Sequence, residues 1–230
     1  MSQPLMKSLQ HYLLWVGLAL QLGLILLGAR RESIRICYSF YLYLVVGLVC
    51  SILVSYVIGD KDSRRFFYVV KELGLDAIKA ALLLELNTRV FRFYPRVRRS
   101  NFLFFIVSTI LLVIYASVMP QDKSDWWGSV PLDLHSKIMQ ATCLVFFVFA
   151  GSILFYRLQI DSRHKFLMLG FLFSQFPLAL GYATAATFGE TATRFVNPSS
   201  QILWVLALLI WTRVYYPKHC LDNKRAKMHA

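Results

Sequence analysis

Hydrophobic residues in this chain gather into seven blocks of about 20 positions, separated by short charged or proline-containing segments. The hydrocarbon core of a bilayer is about 30 Å thick, and a helix rising about 1.5 Å per residue crosses it in about 20 residues. The pattern therefore predicts an all-α polytopic membrane protein, a seven-transmembrane-helix bundle. The predicted spans are residues 9–27, 37–58, 66–86, 102–119, 138–156, 166–186 and 199–216. Residues 1–219 form the predicted transmembrane domain, and residues 220–230 form a basic cytoplasmic tail that is expected to be disordered.

The third block differs from the others because it carries ionisable residues at mid-depth. At about 100° per residue, Glu72, Asp76 and Lys79 share one face of a helix. Each charge in the hydrocarbon region costs at least about 2.5–3.5 kcal/mol, so this face must point at protein or water. We therefore expect the other helices to surround the third one and shield it from lipid.

Two interpretations of this cluster follow. Asp76 and Lys79 are three residues apart and Glu72 lies one turn earlier, so the side chains can pair. Two carboxyls this close in a low dielectric are not expected to ionise together, so one of them should hold a proton. The cluster is then either a proton-coupled, ion or polar-ligand site, or a neutralised structural network. The structural network is preferred, because no other predicted span carries a matching ionisable residue.

Small residues repeated every four positions predict where helices pack closely. Such residues occur in the first, second and sixth predicted spans. They are Ala19, Gly23, Gly47, Ser51, Ser55, Gly181 and Ala185. In addition, Pro177 predicts a kink, and Asn197 followed by Pro198 predicts the start of the seventh helix.

The net charge of +13 comes from Lys and Arg residues concentrated in short loops and the tail. Membrane topology and anionic headgroups account for that distribution, so no nucleic-acid partner is expected. The loops after the first, third and fifth spans and the tail are basic, whereas the loops after the fourth and sixth spans hold few cations, Lys123 and Arg194 among them. The loop after the second span is also basic, although it belongs to the side that is otherwise poor in Lys and Arg. The distribution of Lys and Arg between the two sides of the membrane therefore predicts an N-terminus outside and a cytoplasmic C-terminus.

The most basic segment follows the third block and interleaves arginines with apolar residues. Its arginines are Arg89, Arg92, Arg96, Arg98 and Arg99. This composition predicts a segment lying along lipid headgroups. Docking of a partner protein is the alternative.

No motif points to catalysis or to a bound metal. The four cysteines lack metal-ligand or haem-attachment spacing, and there is no H-E-x-x-H pattern. His135, His164 and His219 flank predicted spans, where hydrated side chains are expected. The sequence predicts no enzyme, no catalytic residue and no metal. No cofactor motif is present, and a pigment or a lipid against the Phe-rich spans stays open.

The apolar first span, the acidic third span, the run FRFYPRVRRSN at residues 91–101 and the closing WTRVYYPK at residues 211–218 form a recognisable combination. It resembles a group of uncharacterised seven-helix membrane proteins from bacteria, especially acidobacteria. The resemblance covers most of the chain and implies a seven-helix topology and a bacterial inner (cytoplasmic) membrane. It implies no activity, substrate or catalytic residue.

Taken together, these features predict a non-enzymatic multi-pass membrane protein that acts as a binding or accessory module, or as a subunit of a larger membrane complex. It would contact membrane lipids and other membrane subunits through the stripe of small residues Gly47, Ser51 and Ser55 (the Gly47 stripe) or through the basic segment. The alternative is a small transporter or proton-linked carrier that uses Glu72, Asp76 and Lys79. A polar cavity reaching Asp76 would favour the carrier, and a dry, fully paired cluster would favour the structural network.

Overall fold

A computed structural model describes residues 3–30, 36–54, 61–118, 130–188 and 190–215 of the chain. Over these ranges the fold is all-helical. The seven helices are α1 (Gln3–Arg30), α2 (Tyr38–Ile52), α3 (Lys61–Val90), α4 (Pro95–Val118), α5 (Val130–Phe155), α6 (Ser162–Phe188) and α7 (Glu190–Tyr215). The predicted packing residue Ser55 and the predicted tail lie outside the described residues, as does the side chain of Ala185.

Each helix coincides with one apolar block, but the helix bounds differ from the predicted spans. α7 begins at Glu190, so residues 197–198 lie inside it and the predicted helix start there is wrong. α6 runs through Pro177 without ending. A proline removes one backbone hydrogen bond, which neighbouring helices can tolerate in a packed bundle.

Three helices are long and apolar enough to cross a bilayer within the described part of the chain. The segments are His11–Arg30 of α1, Pro95–Tyr115 of α4 and Leu134–Phe155 of α5. α2 and α7 contain shorter apolar segments, Tyr38–Ile52 and Ser199–Tyr215. Three helices of this kind indicate a membrane protein.

Contacts between helix ends show how neighbouring helices run. The Glu85 carboxylate near the end of α3 accepts hydrogen bonds from the first backbone N–H groups of α2. Asn87 donates to the Arg98 carbonyl at the start of α4 (3.2 Å), and Ser152 near the end of α5 donates to Asn101 (3.1 Å). The ends of α3 and α5 therefore meet the starts of α2 and α4, so adjacent helices in these pairs are antiparallel.

An aromatic core joins α2, α6 and α7. The Trp211 ring lies 4.8 Å from Phe171 and 5.0 Å from Phe40, measured between ring centroids. Its indole N–H donates to the Leu167 carbonyl at 3.0 Å, so the buried polar atom is satisfied. A Cβ at Gly170 would overlap the Trp211 ring, which explains why this position of α6 has no side chain.

α4 lies at the edge of the bundle, against α3 and α5. Most of its large apolar side chains are exposed. They are Phe102, Leu103, Val107, Ile110, Leu111, Val113 and Ile114. An apolar helix with so little protein contact suits a lipid environment.

Candidate functional site

The charged face of α3 points into the protein. Lys79 and Asp76 are only 2% and 4% exposed, and their Nζ and Oδ1 atoms are 2.9 Å apart. Their spacing of three residues places both side chains on one face, as the sequence indicates. The buried amine and the buried carboxylate therefore compensate each other directly.

A second helix contributes to the cluster through His135 of α5. The His135 Nδ1 atom lies 2.7 Å from Asp76 Oδ2, and the imidazole is 3% exposed. This contact suits the tautomer in which the Nδ1–H group donates a hydrogen bond to an ionised Asp76 carboxylate, which can only accept. Both oxygens of Asp76 are thus engaged, one with α3 itself and one with α5.

Glu72 completes the cluster one turn before Asp76. Its Oε1 lies 2.8 Å from Lys71 Nζ, and its Oε2 lies 3.7 Å from His135 Nε2. Two amines and two carboxylates carry no net charge when all four are ionised. Formal charge balances once Lys71 is counted with the cluster, and the shared proton expected from the sequence stays a prediction.

The expectation that no other helix offers an ionisable partner is wrong, because His135 does so. The sequence pattern predicts a hydrated loop position for His135 before α5, whereas α5 begins five residues earlier, at Val130. His135 lies on the same helix face as the buried residues Met139 and Thr142, at spacings of four and seven residues. The spacing of His135 from Met139 and Thr142 could therefore have indicated from the sequence that His135 is buried.

A polar cavity of about 250 Å³ adjoins the cluster between α1, α2, α3, α5, α6 and α7. Its polar and charged lining residues are Gln21, Tyr43, Ser51, Lys71, Glu72, Lys79, Ser174, Gln175, Ser200 and Gln201. A smaller space of about 80 Å³ between α1, α2 and α7 shares four lining residues with it, Gln21 and Trp204 among them. Polar groups from five helices thus converge on one interior space.

A larger apolar groove of about 600 Å³ lies on the other side of α3, between α3, α4 and α5. Asp76 lines this groove, together with the hydroxyl-bearing residues Ser108, Thr109 and Thr142. The rest of its lining is apolar. Asp76 therefore borders the groove, whereas Glu72 and Lys79 border the polar cavity.

The predicted packing residues occupy different environments. A Cβ at Gly47 would stand 3.1 Å from Gln21 Nε2, and Gly47 and Ser51 both line the polar cavity. Gly181 is buried, whereas Ala19 is exposed and nothing lies within 4 Å of a Cβ at Gly23. Gly47 and Ser51 therefore face the interior of this chain.

Glu85, another acid of α3, has a separate structural role. Its two oxygens accept from the backbone N–H groups of Tyr38 (3.0 Å) and Ser39 (2.8 Å), and Arg89 pairs with it at 2.7 Å. A carboxylate is favourable at a helix N-terminus, where backbone N–H groups lack partners. Glu85 thus caps α2 from a neighbouring helix.

The basic segment forms the corner between α3 and α4. Arg92, Arg96, Arg98 and Arg99 are exposed, and Phe93 beside them is 83% exposed. Arg89 is partly buried on Glu85 and lies 5.4 Å from the centre of the Tyr38 ring. Four arginines and one aromatic ring are therefore available at the surface.

Within the described part of the chain, no group of three or more His, Cys, Asp or Glu side chains could hold a metal ion. The chain matches no protein-family model, no curated protein and no solved structure.

Proposed function

We propose that this is a seven-span, non-enzymatic membrane protein that binds a small polar solute inside its helix bundle. The observation that carries the proposal is the polar cavity beside the paired cluster of Glu72, Asp76, Lys79 and His135. Polar side chains in the hydrocarbon region are costly unless they face protein or water, and they mark ligand or ion sites. A purely structural network would need no open space beside it.

Charge distribution supports the proposed topology, with the N-terminus outside and the C-terminus in the cytoplasm of a bacterial inner membrane. Antiparallel helices bring the ends of α1, α3, α5 and α7 to the same side as the starts of α2, α4 and α6. The described basic residues at that side are Arg30, Arg89, Arg92, Arg96, Arg98, Arg99, Arg157, Arg163, Lys165 and Arg213. The acids there are Glu85 and Asp161. Such an excess favours the cytoplasmic face and anionic headgroups.

Co-purification from native membranes tests the proposal. Mass spectrometry of the small molecules that remain bound should detect a solute with the wild-type protein and lose it with Ser51→Phe, which fills the cavity. Ser108→Phe places the same bulk in the apolar groove and should retain the solute. Equal small-molecule content in all three proteins would contradict the proposal.

Proton-linked transport of the solute is the second candidate function. His135 favours it, because its ring spans the 2.7 Å contact with Asp76 and the 3.7 Å approach to Glu72. An imidazole between two carboxylates can accept a proton at one nitrogen and release one from the other. In proteoliposomes, His135→Gln and Asp76→Asn should each abolish solute uptake driven by a pH gradient. Uptake that keeps its pH dependence in both variants would exclude this role.

A further inference from the structure

Two residues that line the polar cavity have an amide oxygen without a hydrogen-bond donor among the described residues. These oxygens are Gln175 Oε1 and Gln201 Oε1, and both atoms are buried. A buried polar atom without a partner costs about 1–3 kcal/mol. Two such atoms on residues that line one cavity therefore favour a bound ligand that supplies hydrogen-bond donors.

The orientation of the Gln175 amide follows from its neighbour. The Ser174 hydroxyl donates to the Phe171 carbonyl at 3.0 Å, so its oxygen can only accept from Gln175. Gln175 Nε2 makes that contact at 3.3 Å, which directs Oε1 away from Ser174. Gln175 is only 2% exposed, so Oε1 cannot reach solvent outside the bundle.

Glu72 adds a third acceptor with a negative charge. Its Oε1 is paired with Lys71, but its Oε2 lies 3.7 Å from His135 Nε2, beyond hydrogen-bond distance. The amines that line the cavity are already committed, Lys71 to Glu72 and Lys79 to Asp76. Gln175 Oε1, Gln201 Oε1 and Glu72 Oε2 are thus three acceptor oxygens on residues that line the cavity.

We propose that the cavity binds a small primary ammonium, whose three N–H groups are complementary to Gln175 Oε1, Gln201 Oε1 and Glu72 Oε2. The Tyr43 and Trp204 rings also line the cavity and suit a cation through their π faces. Leu75, Met139 and Leu178 accommodate a short apolar substituent. The volume of about 250 Å³ lies below the range of about 300–1,000 Å³ for drug-sized pockets, so the ligand is small. This ligand class rests on the proposed solute-binding function.

The test is calorimetric titration of the full-length protein in phosphatidylcholine nanodiscs. Propylammonium should bind saturably. Tetramethylammonium carries the same charge without N–H donors, propionate carries the opposite charge, and glycerol is neutral; these three should not bind. Gln175→Leu should weaken propylammonium binding roughly tenfold or more, because it removes an acceptor from a charged donor. Gln159→Leu, at an exposed loop position, is the matched control and should leave binding unchanged.

The outcomes separate the two proposals. Equal binding of tetramethylammonium, or binding of propionate or glycerol instead, would overturn the ammonium assignment and leave the solute site standing. No binding of any probe, together with no co-purified solute, would overturn both. If Gln175→Leu fails to fold, Gln201→Leu serves in its place, and unchanged propylammonium affinity in that variant would also overturn the assignment.

Discussion

The two sides of α3 differ in what they enclose. On one side, five other helices converge on a cavity of about 250 Å³ lined by charged and amide side chains. On the other side, only α4 and α5 close a groove of about 600 Å³ whose lining is mainly apolar. Asp76 stands at the boundary, since it borders the groove while its partner Lys79 borders the cavity.

The difference shows how one helix can present its charged face to a polar interior and its other face to an apolar groove. Charges and amides need partners from several directions, and the crowded side of α3 supplies them. The open side is closed by α5 and the peripheral helix α4, and its lining contains few polar groups. The comparison predicts that substitutions on the crowded side will be costly and that matched substitutions on the open side will be mild.

Asp76→Asn should have the largest effect. It leaves the Lys79 amine buried without its carboxylate, and breaking a buried ion pair costs about 3–5 kcal/mol. For a chain of this length, the melting temperature in detergent should fall by roughly 6–20 °C.

The double variant Asp76→Asn with Lys79→Met is its control. It removes both charges and should recover much of the loss, because an apolar replacement of a buried pair is often close to neutral. An unchanged melting temperature in Asp76→Asn alone would mean that the pair is hydrated and the crowded side is open to water.

Gly170→Ala should have the next largest effect. The added methyl group overlaps the Trp211 ring in the tightly packed interface of α6 and α7, and overpacking costs about 1–3 kcal/mol. Gly151→Ala is the matched control, because nothing lies within 4 Å of a Cβ there and alanine favours a helix by about 1 kcal/mol over glycine. Thermal unfolding of both variants checks the contrast, and equal destabilisation would contradict it.

Removal of single hydrogen bonds gives a finer test of the same contrast. The buried Gln21 side chain donates to the Leu44 carbonyl at 2.7 Å on the crowded side, so Gln21→Leu should cost about 1 kcal/mol. Thr109 borders the groove and donates only to Phe105 of its own helix, so Thr109→Val should change stability by less than about 0.5 kcal/mol. Denaturant unfolding measures both. A larger loss in Thr109→Val would reverse the comparison.

The smallest expected effect concerns His164, at the basic end of the bundle. Burial lowers the pKa of His164, and the nearby Arg89 and Arg163 act in the same direction, against Asp161 and Glu85. The folded state therefore binds fewer protons than the unfolded state just below the ordinary value of about 6.5.

Stability should consequently rise as pH increases through that window and decrease as pH falls. His164→Asn should flatten this part of the stability profile, measured by thermal unfolding between about pH 5 and pH 7. A slope that is unchanged in the variant would assign the pH dependence to other groups.

Local pattern was sufficient to predict much of the fold and one contact of the site. Block lengths indicate the seven helices, and the spacing of Asp76 and Lys79 indicates their pairing. Non-local contacts could not be predicted in this way: His135 reaches Asp76 across 59 residues, and Trp211 reaches Gly170 across the α6–α7 interface. The Asn197–Pro198 signal failed because α7 begins seven residues earlier, at Glu190, and continues through the proline.

Spin labelling along α3 in liposomes tests most directly the proposal that α3 crosses the bilayer with its charges turned inward. Labels at Ala77 and Ala81, both exposed, should collide often with oxygen and rarely with a water-soluble nickel complex, as lipid-facing positions do. Labels at Leu82 and Leu86, both buried, should be poorly accessible to either reagent. If the nickel complex reaches Ala77 and Ala81 more readily than oxygen does, α3 lies outside the bilayer and the account is wrong.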